Sequence, residues 1–440
     1  MTQAMGAIAP ELAAIVGPDN VQAWEQVAPA FQATLQAAVP GASPVVASPA
    51  TPEELAAVMA IAHQKGWRVL PCGSGSKLDW GGLGAGAEVV LSTARLTRLV
   101  EHAVGDLTVT AEAGLTLAAL QQTLAASRQF LALDPAYPDR ATLGGIVATA
   151  DTGALRQRYG GVRDMLIGLE FVRYDGQRVK AGGRVVKNVA GYDLMKLLTG
   201  SYGTLGILTQ VTFRLYPESE TSQTVLLRGE GEAIARAAQT LLASALTPVA
   251  ADLLTPSLLA ALDLGEGFGL LARFQSVAPS VEEQIAKLRS LGQSLGLGDH
   301  TFGPEVEGPL WQRLTTVLTE DPTESTLLAK IGVEPAKAIA TLQQLGAIAP
   351  GAQARLHLAS GLGLLRLDGA LAEDPAALGD MRSRCEQAGG FLSVLRATPA
   401  LKRSLDVWGY SGSAIAPMRQ LKQQFDPNSL LSPQRFVGGI

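Results

Sequence analysis

The pattern of hydrophobic and polar residues changes near residue 217. Before this point, short apolar runs such as 89–92 and 107–111 indicate strands, which alternate with glycine-rich loops and single amphipathic helices. After it, Leu- and Ala-rich segments follow in the order β-α-β-β-α, and the order recurs from Leu327. The chain is therefore predicted to be an α+β protein whose second half contains two ferredoxin-like units.

Prolines and shifts in composition divide the chain into four predicted parts. The first is a helical N-terminal extension with helices over 10–16 and 21–38, the second of which is kinked or divided at Pro29. The four parts are residues 1–45, residues 46–217, residues 218–405 and a C-terminal segment at 406–440.

Composition narrows the class of protein. The 440 residues are 47% hydrophobic, enough for two or three domains with sizeable cores, and the net charge is −5. The cations are scattered, so no nucleic-acid surface is expected. The first Lys or Arg is Lys65 and every apolar run is interrupted early, so we expect neither a targeting segment nor a membrane span. Two cysteines, Cys72 and Cys385, are too few for an iron–sulfur cluster and are consistent with the cytoplasm.

The loop after the predicted strand at 67–70 is the first candidate for chemistry. It reads Pro71-Cys72-Gly73-Ser74-Gly75-Ser76-Lys77. Alternating small residues let successive backbone N–H groups turn inward as an anion nest, and Lys77 adds a cation, so the loop suits a pyrophosphate. It has neither the Walker A spacing nor a Rossmann fingerprint. A flexible Gly/Ser connection explains the loop equally well.

Two further glycine clusters follow. Gly144-Gly145 comes after Thr142, and Gly200, Gly203 and Gly206 lie between a helical run and a β-branched strand. Glycine at such positions lets backbone approach something flat or bulky, such as a cofactor. A tight helix-to-strand turn is the alternative, and the cluster alone does not decide between them.

These segments together resemble the flavin-binding domain of the vanillyl-alcohol-oxidase and PCMH-type family. The resemblance covers about residues 50–217 and about the last 25 residues. More narrowly, the segment from Lys187 to Thr209 and the tail at 421–427 resemble the FAD-binding E subunit of bacterial glycolate oxidases. The pieces that carry it are Gly73 to Lys77, Asp134-Pro135, Thr142-Leu143-Gly144-Gly145, Tyr159-Gly160, 187–209 and 421–427.

The resemblance implies a fold, a cofactor and its site. It implies a PCMH-type FAD-binding domain of two α/β subdomains at 46–217, and a cap domain at 218–405 whose ferredoxin-like repeats join in one antiparallel sheet. The segment at 406–440 would return to the FAD domain. FAD is expected to be non-covalent, because the first loop reads Ser76-Lys77 where covalent relatives often carry a His. The expected FAD-binding residues are Pro71, Gly73, Ser74, Gly75, Ser76, Lys77, Asp134, Pro135, Thr142, Gly144, Gly145, Gly203, Gly206 and Ile207.

Candidates for substrate chemistry are weaker. None of the four histidines falls in a flavin-facing motif, and His357 has no partner nearby in the sequence, so no metal site is predicted. The remaining cleft candidates are Arg158, Tyr159, Lys187 and Tyr192, all of which are as often packing or pairing residues.

The resemblance therefore predicts a cytoplasmic FAD-binding subunit of a glycolate (2-hydroxy acid) oxidase complex that takes part in electron transfer. Its partners would be a sister flavoprotein subunit and an iron–sulfur subunit, and any membrane association would come through them. The alternatives are a self-sufficient FAD-dependent 2-hydroxy-acid or alcohol oxidoreductase and a cofactor-free scaffold subunit.

Overall fold

A computed structural model of the protein describes residues 2–183, 192–320 and 325–440, with side chains from Ile8 onward. The first subdomain is a four-stranded sheet in the order β1-β2-β4-β3, in which β4 is parallel to both β2 and β3. Its elements are α1 (Thr2–Val16), β1 (Val21–Gln22), α2 (Pro29–Ala38), β2 (Val45–Ala47), α3 (Pro52–Lys65), β3 (Val69–Cys72) and β4 (Val89–Ser92).

Local chemistry fixes the bounds of α3. Thr51 caps the helix by accepting the N–H of Glu54 at 3.1 Å, and Pro52 takes the first helical position. Gly66, at φ +70°, ends the helix in a left-handed conformation. The apolar face of α3 then packs on the sheet.

Residues 1–45 differ from the predicted helical extension. Val21–Gln22 forms an edge strand that pairs antiparallel with β2, and α2 begins only at Pro29. The proline ring is tolerated at the first turn of a helix but blocks its continuation through the preceding residues. Leu12 and Leu35 are fully buried, so this segment forms part of the first subdomain.

The second subdomain is a five-stranded antiparallel sheet in the order β5-β6-β10-β8-β9. A separate pair, β7 and β11, borders it. Strands β8 and β9 form a hairpin about Asp175-Gly176. The elements are β5 (Leu99–Ala103), β6 (Thr108–Glu112), α4 (Leu117–Ala125), β7 (Gln129–Phe130), α5 (Leu143–Thr149), α6 (Arg156–Tyr159), α7 (Val162–Met165), β8 (Leu166–Val172), β9 (Arg178–Gly182), α8 (Leu194–Leu198), β10 (Ile207–Arg214) and β11 (Tyr216–Pro217).

The cap is one antiparallel sheet in the order β15-β12-β14-β13-β17-β18-β16-β19, which confirms the predicted fold class. Pairing of β13 with β17 joins the two repeats. The elements are β12 (Thr221–Gly229), α9 (Gly231–Ala243), β13 (Ala250–Leu254), α10 (Pro256–Ala261), β14 (Phe268–Ser276), α11 (Ala278–Ser294), β15 (Gly298–Phe302), α12 (Pro304–Thr319), β16 (Thr326–Gly332), α13 (Ala338–Ile348), β17 (Gln353–His357), β18 (Leu362–Asp368), α14 (Pro375–Gln387), β19 (Phe391–Arg396) and α15 (Pro399–Ser404).

Alternating residues of the cap strands serve two cores. Leu227 and Leu253 pack with α9, α11, α13 and α14 on one face, and Leu226 and Leu254 pack with α10 and α12 on the other. The strand β15 and the helix α12 were not predicted. Helix α12 contains Pro309 within its first turns, which obscures its helical period.

The last helix, α16 (Ile415–Phe425), leads the chain back to the first subdomain. Leu431 forms a parallel bridge with Val69 on the edge of β3. Nζ of Lys422, which is buried, lies 2.6 Å from Oδ2 of Asp426 and donates to the carbonyls of Thr204 and Leu431 at 2.8 Å. The tail therefore joins both subdomains. Within the described ranges, no helix has the length and apolar character needed to cross a bilayer.

Candidate functional site

Three glycine clusters that are far apart in the sequence line one cavity of about 790 Å³, called here the glycine-lined cavity. Its walls come from the loop after β3, the start of α5 and the segment leading into β10. The predicted residues in its lining are Pro71, Gly73, Ser74, Gly75, Ser76, Lys77, Thr142, Gly144, Gly145, Gly203, Gly206 and Ile207. Residues that sequence reasoning missed are Cys72, Leu78, Thr93, Ala148, Thr149, Ser201, Tyr202, Leu208 and Arg435.

The loop after β3 packs closely against the start of α5. A Cβ at Gly73 would lie 2.1 Å from Oγ1 of Thr142, a residue whose Oγ1 also accepts the N–H of Gly145 at 3.3 Å. Gly75 has φ +80°, a conformation that side chains other than glycine rarely adopt. Glycine at these two positions is therefore required by packing and by backbone conformation.

Lys77 does not present a free cation to the cavity. Its ammonium is buried and lies 2.6 Å from Oδ2 of Asp151. Burial lowers the pKa of Lys77, and the carboxylate of Asp151 opposes that shift. The same Oδ2 atom accepts the N–H of Ala136 at 3.0 Å. Lys77 therefore ties the first loop to the segment that follows α5.

The segment before β10 uses glycine for close approach. Gly203 has φ +73°, and a Cβ there would lie 2.9 Å from Cγ of Pro71. A Cβ at Gly206 would lie 2.5 Å from the ring of Phe171. Both glycines therefore satisfy a tight turn and a cavity wall at once, so the two explanations offered by the sequence are compatible.

Arg435 supplies a buried cation to the same cavity. Its Nη2 donates to the carbonyls of Leu78 at 2.6 Å and Trp80 at 2.9 Å. Its Nε is buried and has no hydrogen-bond partner among the residues the structure describes. Burial lowers the pKa of Arg435 to about 10, so the guanidinium stays charged at neutral pH. An unsatisfied buried donor on a cation, beside small-residue backbone, fits an anionic ligand such as a dinucleotide.

Asp134 and Pro135 lie elsewhere. They line a separate cavity between the second subdomain and the cap, so the structure does not bring them to the glycine-lined cavity. The carboxylate of Asp134 accepts the N–H of Leu155 at 3.2 Å and thereby holds the turn before α6. Burial raises the pKa of Asp134 to about 6.

The predicted cleft candidates are not brought together. Tyr159 packs against the rings of Phe130 and Tyr216, with centroid distances of 5.6 and 4.6 Å. Arg158 is exposed, and Tyr192 is 91% exposed. Lys187 lies outside the described residues.

A second cavity, of about 460 Å³, lies against the cap sheet and is called here the cap-side cavity. Thr149 and Tyr202 line both cavities, so the two spaces adjoin. Its other lining residues are Trp80, Asp151, Thr152, Arg156, Lys330, Arg355, His357, Leu362, Gly363, Leu364 and Leu395. The cap sheet therefore places cations next to the glycine-lined cavity.

His357 has a hydrogen-bond partner that is distant in the sequence. The pairing of β13 with β17 sets Asp252 directly opposite His357, and Nδ1 of His357 lies 2.6 Å from Oδ1 of Asp252. Both side chains are buried. The sequence did contain a signal for this pair, because Asp252 is a carboxylate in the otherwise apolar strand 250–254 and a buried carboxylate needs a partner. Across the described parts of the chain, no group of three His, Cys, Asp or Glu residues could hold a metal ion.

Comparison with known proteins agrees with this geometry. Residues 43–182 match the FAD binding domain family. The fold superposes on 4-ethylphenol oxidase from Gulosibacter chungangensis with a TM-score of 0.76 at 16% identity, covering 99% of this chain and 97% of that one. For p-cresol methylhydroxylase the TM-score is 0.73, again at 16% identity, with 98% and 96% covered.

Similar sequences include several proteins with hydroxy acids in their names. The chain is 37% identical to a D-lactate dehydrogenase of Archaeoglobus fulgidus over 40% of this chain and 39% of that protein. It is 31% identical to glycolate oxidase subunit GlcD of Bacillus subtilis over 49% and 46%, and 38% identical to subunit GlcE of Escherichia coli over 28% and 36%. The matches thus span less than half the length of each of these relatives.

The protein is a PCMH-type flavoprotein by fold, with FAD as its cofactor. Membership of the FAD binding domain family is shown for residues 43–182.

Proposed function

We propose that the protein is an FAD-dependent oxidoreductase that holds FAD non-covalently in the glycine-lined cavity and serves 2-hydroxy acid oxidation as a subunit of a glycolate oxidase complex. The observation that carries the proposal is the meeting of three separate glycine clusters and Arg435 around one cavity, in a chain with an FAD binding domain.

The lining supports non-covalent attachment. Cys72 is the cysteine in the described lining, and burial raises the pKa of its thiol to about 12. A thiol at neutral pH is a poor nucleophile compared with a thiolate, so attachment through Cys72 is disfavoured. Among the residues that the structure describes, no histidine lines this cavity.

Each part of the cavity has a role in holding the cofactor. The backbone of the loop at 73–77 and the cation of Arg435 would hold the phosphates, and Gly203 and Gly206 would give the ring system close backbone contact. Bound FAD supplies the capacity to accept two electrons from a substrate carbon. The chain's own contribution is to bind, orient and shield it.

The subunit assignment rests on the relatives named GlcD and GlcE. It implies a sister flavoprotein subunit and an iron–sulfur subunit as partners. A second candidate function, a self-sufficient FAD-dependent 2-hydroxy-acid or alcohol oxidoreductase, is favoured by the cap-side cavity, which adjoins the glycine-lined cavity through Thr149 and Tyr202. A scaffold without cofactor would leave the buried Nε of Arg435 unexplained.

The test is the absorption spectrum of the gently purified chain, with and without added FAD. We expect a flavin spectrum, and we expect denaturation to release all of the flavin into the filtrate. Gly203→Val should abolish flavin binding, because the backbone has φ +73° and the side chain would meet Pro71. Gly105→Ala is the matched control, since nothing lies within 4 Å of a Cβ there. A wild-type chain that neither contains nor takes up flavin would refute the proposal.

A further inference from the structure

We infer that the cap-side cavity of this chain is itself a carboxylate-binding site, in which Lys330 and Arg156 hold a small 2-hydroxy acid and His357 faces its hydroxyl group. The inference rests on the proposed function, because a substrate held there would need FAD across the shared wall of Thr149 and Tyr202. It assigns substrate recognition to this chain, whose sequence offered only weak candidates for substrate chemistry.

Lys330 is the cation that most needs a ligand. It projects from β16, which lies between β18 and the edge strand β19, and it lines the cavity. Among the described residues it makes no hydrogen bond or ion pair. Burial lowers its pKa, and the charges that act on it are an attractive Asp151 and a repulsive Arg156. Asp151 is already held at 2.6 Å by Lys77. An incoming carboxylate would satisfy Lys330 without breaking an existing pair.

Arg156 enters the cavity from the opposite domain. It begins α6, and the turn before this helix is fixed by the bond from Leu155 to Asp134. Asp164 and Asp134 act on its charge, but within the described chain its guanidinium makes no hydrogen bond or ion pair. Arg156 and Lys330 therefore face the same space from the FAD domain and from the cap, which suits two oxygens of one carboxylate.

Arg355, which lines the cavity, lies near the buried carboxylate of Asp252. Its Nη1 donates to Oγ1 of Thr315 at 3.2 Å and lies 4.0 Å from Oδ2 of Asp252. The charge of Asp252 is thus shared between Arg355 and the hydrogen bond to His357. Asp151, which lines the cavity, is paired with Lys77, and the buried Asp252 contacts His357 and Arg355. Neither acid is hydrogen-bonded to Lys330 or Arg156 within the described chain.

The contact with Asp252 sets the chemistry of His357. A carboxylate can only accept, so a neutral His357 carries its proton on Nδ1 and leaves Nε2 as an acceptor. Among the described residues, Nε2 has no hydrogen-bond partner. When a 2-hydroxy acid is oxidised, the hydroxyl O–H bond breaks and its proton passes to Nε2. The C2–H bond breaks as its hydride leaves for the bound flavin, and a C=O bond forms.

The remaining wall of the cap-side cavity is apolar. Leu362, Leu364 and Leu395 form this side. A short aliphatic substituent at C2 would contact these leucines. The chemistry of the walls therefore favours a small aliphatic 2-hydroxy acid over an aromatic alcohol without a carboxylate.

The test is binding of oxalate, a dianion that cannot be oxidised by the same route, to the flavin-loaded chain. Calorimetry and the shift of the flavin spectrum would both report it. We expect Lys330→Met to weaken oxalate binding by about tenfold or more, as loss of a charge-assisted hydrogen bond predicts, and Lys330→Arg to restore most of it. Lys287→Met is the matched control, because Lys287 is an exposed cap lysine paired with Glu283. Arg156→Met gives an independent test from the other domain.

His357 is tested by separating binding from reduction. His357→Gln should bind oxalate within about threefold of the wild type, because the anion contacts are kept. It should lose anaerobic flavin reduction by glycolate. A chain that carries flavin but does not bind oxalate, or a Lys330→Met variant that binds it as the wild type does, would overturn the inference. A chain without flavin would instead count against the proposed function.

Discussion

Gly73 is the position where one added methyl group should most damage the glycine-lined cavity. A Cβ at Gly73 would lie 2.1 Å from Oγ1 and 2.9 Å from Cγ2 of Thr142. Thr142 cannot simply rotate away, because its Oγ1 caps α5 through the N–H of Gly145. Gly73→Ala therefore forces the loop after β3 and the start of α5 apart.

Two penalties contribute to the loss of stability. Overpacking costs about 1–3 kcal/mol, and losing a threonine N-cap costs about 1 kcal/mol. The free energy of unfolding should therefore fall by about 2–4 kcal/mol in Gly73→Ala. Thr142→Ala alone should lose about 1 kcal/mol. The double variant lacks the two clashing atoms, so its loss should be smaller than the sum of the single losses by about 1 kcal/mol or more.

Urea denaturation of the wild type, the two single variants and the double variant gives a double-mutant cycle. Ultrafiltration then measures how much flavin each protein retains. We expect Gly73→Ala to release FAD, because the loop that lines the cavity moves. Gly105→Ala is the control: Gly105 is exposed, and no atom lies within 4 Å of its added Cβ, so its stability should stay within about 0.5 kcal/mol of wild type. Additive losses in the cycle, or a Gly73→Ala variant as stable as the control, would refute the predicted contact.

Three further predictions concern buried charges. Arg396→Met should cost about 3 kcal/mol of unfolding free energy by leaving Asp79 without its partner at 2.6 Å, and the loss should shrink when Asp79→Asn is added. Lys422→Met should also lower the free energy of unfolding by about 3 kcal/mol, because it leaves the fully buried Asp426 without a cation. Adding Asp426→Asn should reduce this loss in the same urea assay. Asp134→Asn should stabilise the protein above about pH 6 and change little near pH 4, because the folded carboxyl keeps its proton to about pH 6 while the unfolded one ionises near pH 4. Urea midpoints that show the same effect of Asp134→Asn at both pH values would contradict this assignment.

Much of the fold could be predicted because the signals are local. The β-α-β-β-α order of the cap follows from the period of its apolar residues, and the glycine clusters mark where backbone must turn or come close. Gly73 and Gly203 were found in this way, and the structure places both in one cavity. Short-range chemistry was enough to find these features.

The features that were missed depend on long-range pairing. His357 and Asp252 are 105 residues apart, and only the register of β13 on β17 makes them neighbours. Arg435 reaches the cavity from the tail, which no local pattern reveals. Asp134 was expected at FAD because its motif resembles that of the family, yet its carboxylate is used to hold the turn at Leu155.

The attachment of Arg435 also bears on how the protein is made. The residue donates to the carbonyl of Leu78, which precedes it by 357 positions. A nascent chain therefore emerges from the ribosome with the first subdomain, the second subdomain and the whole cap before the residue that completes the cavity is available. Closing so long a loop is slow compared with local folding. Flavin is consequently expected to be captured after synthesis, so the supply of FAD to newly released chains would govern how much protein matures.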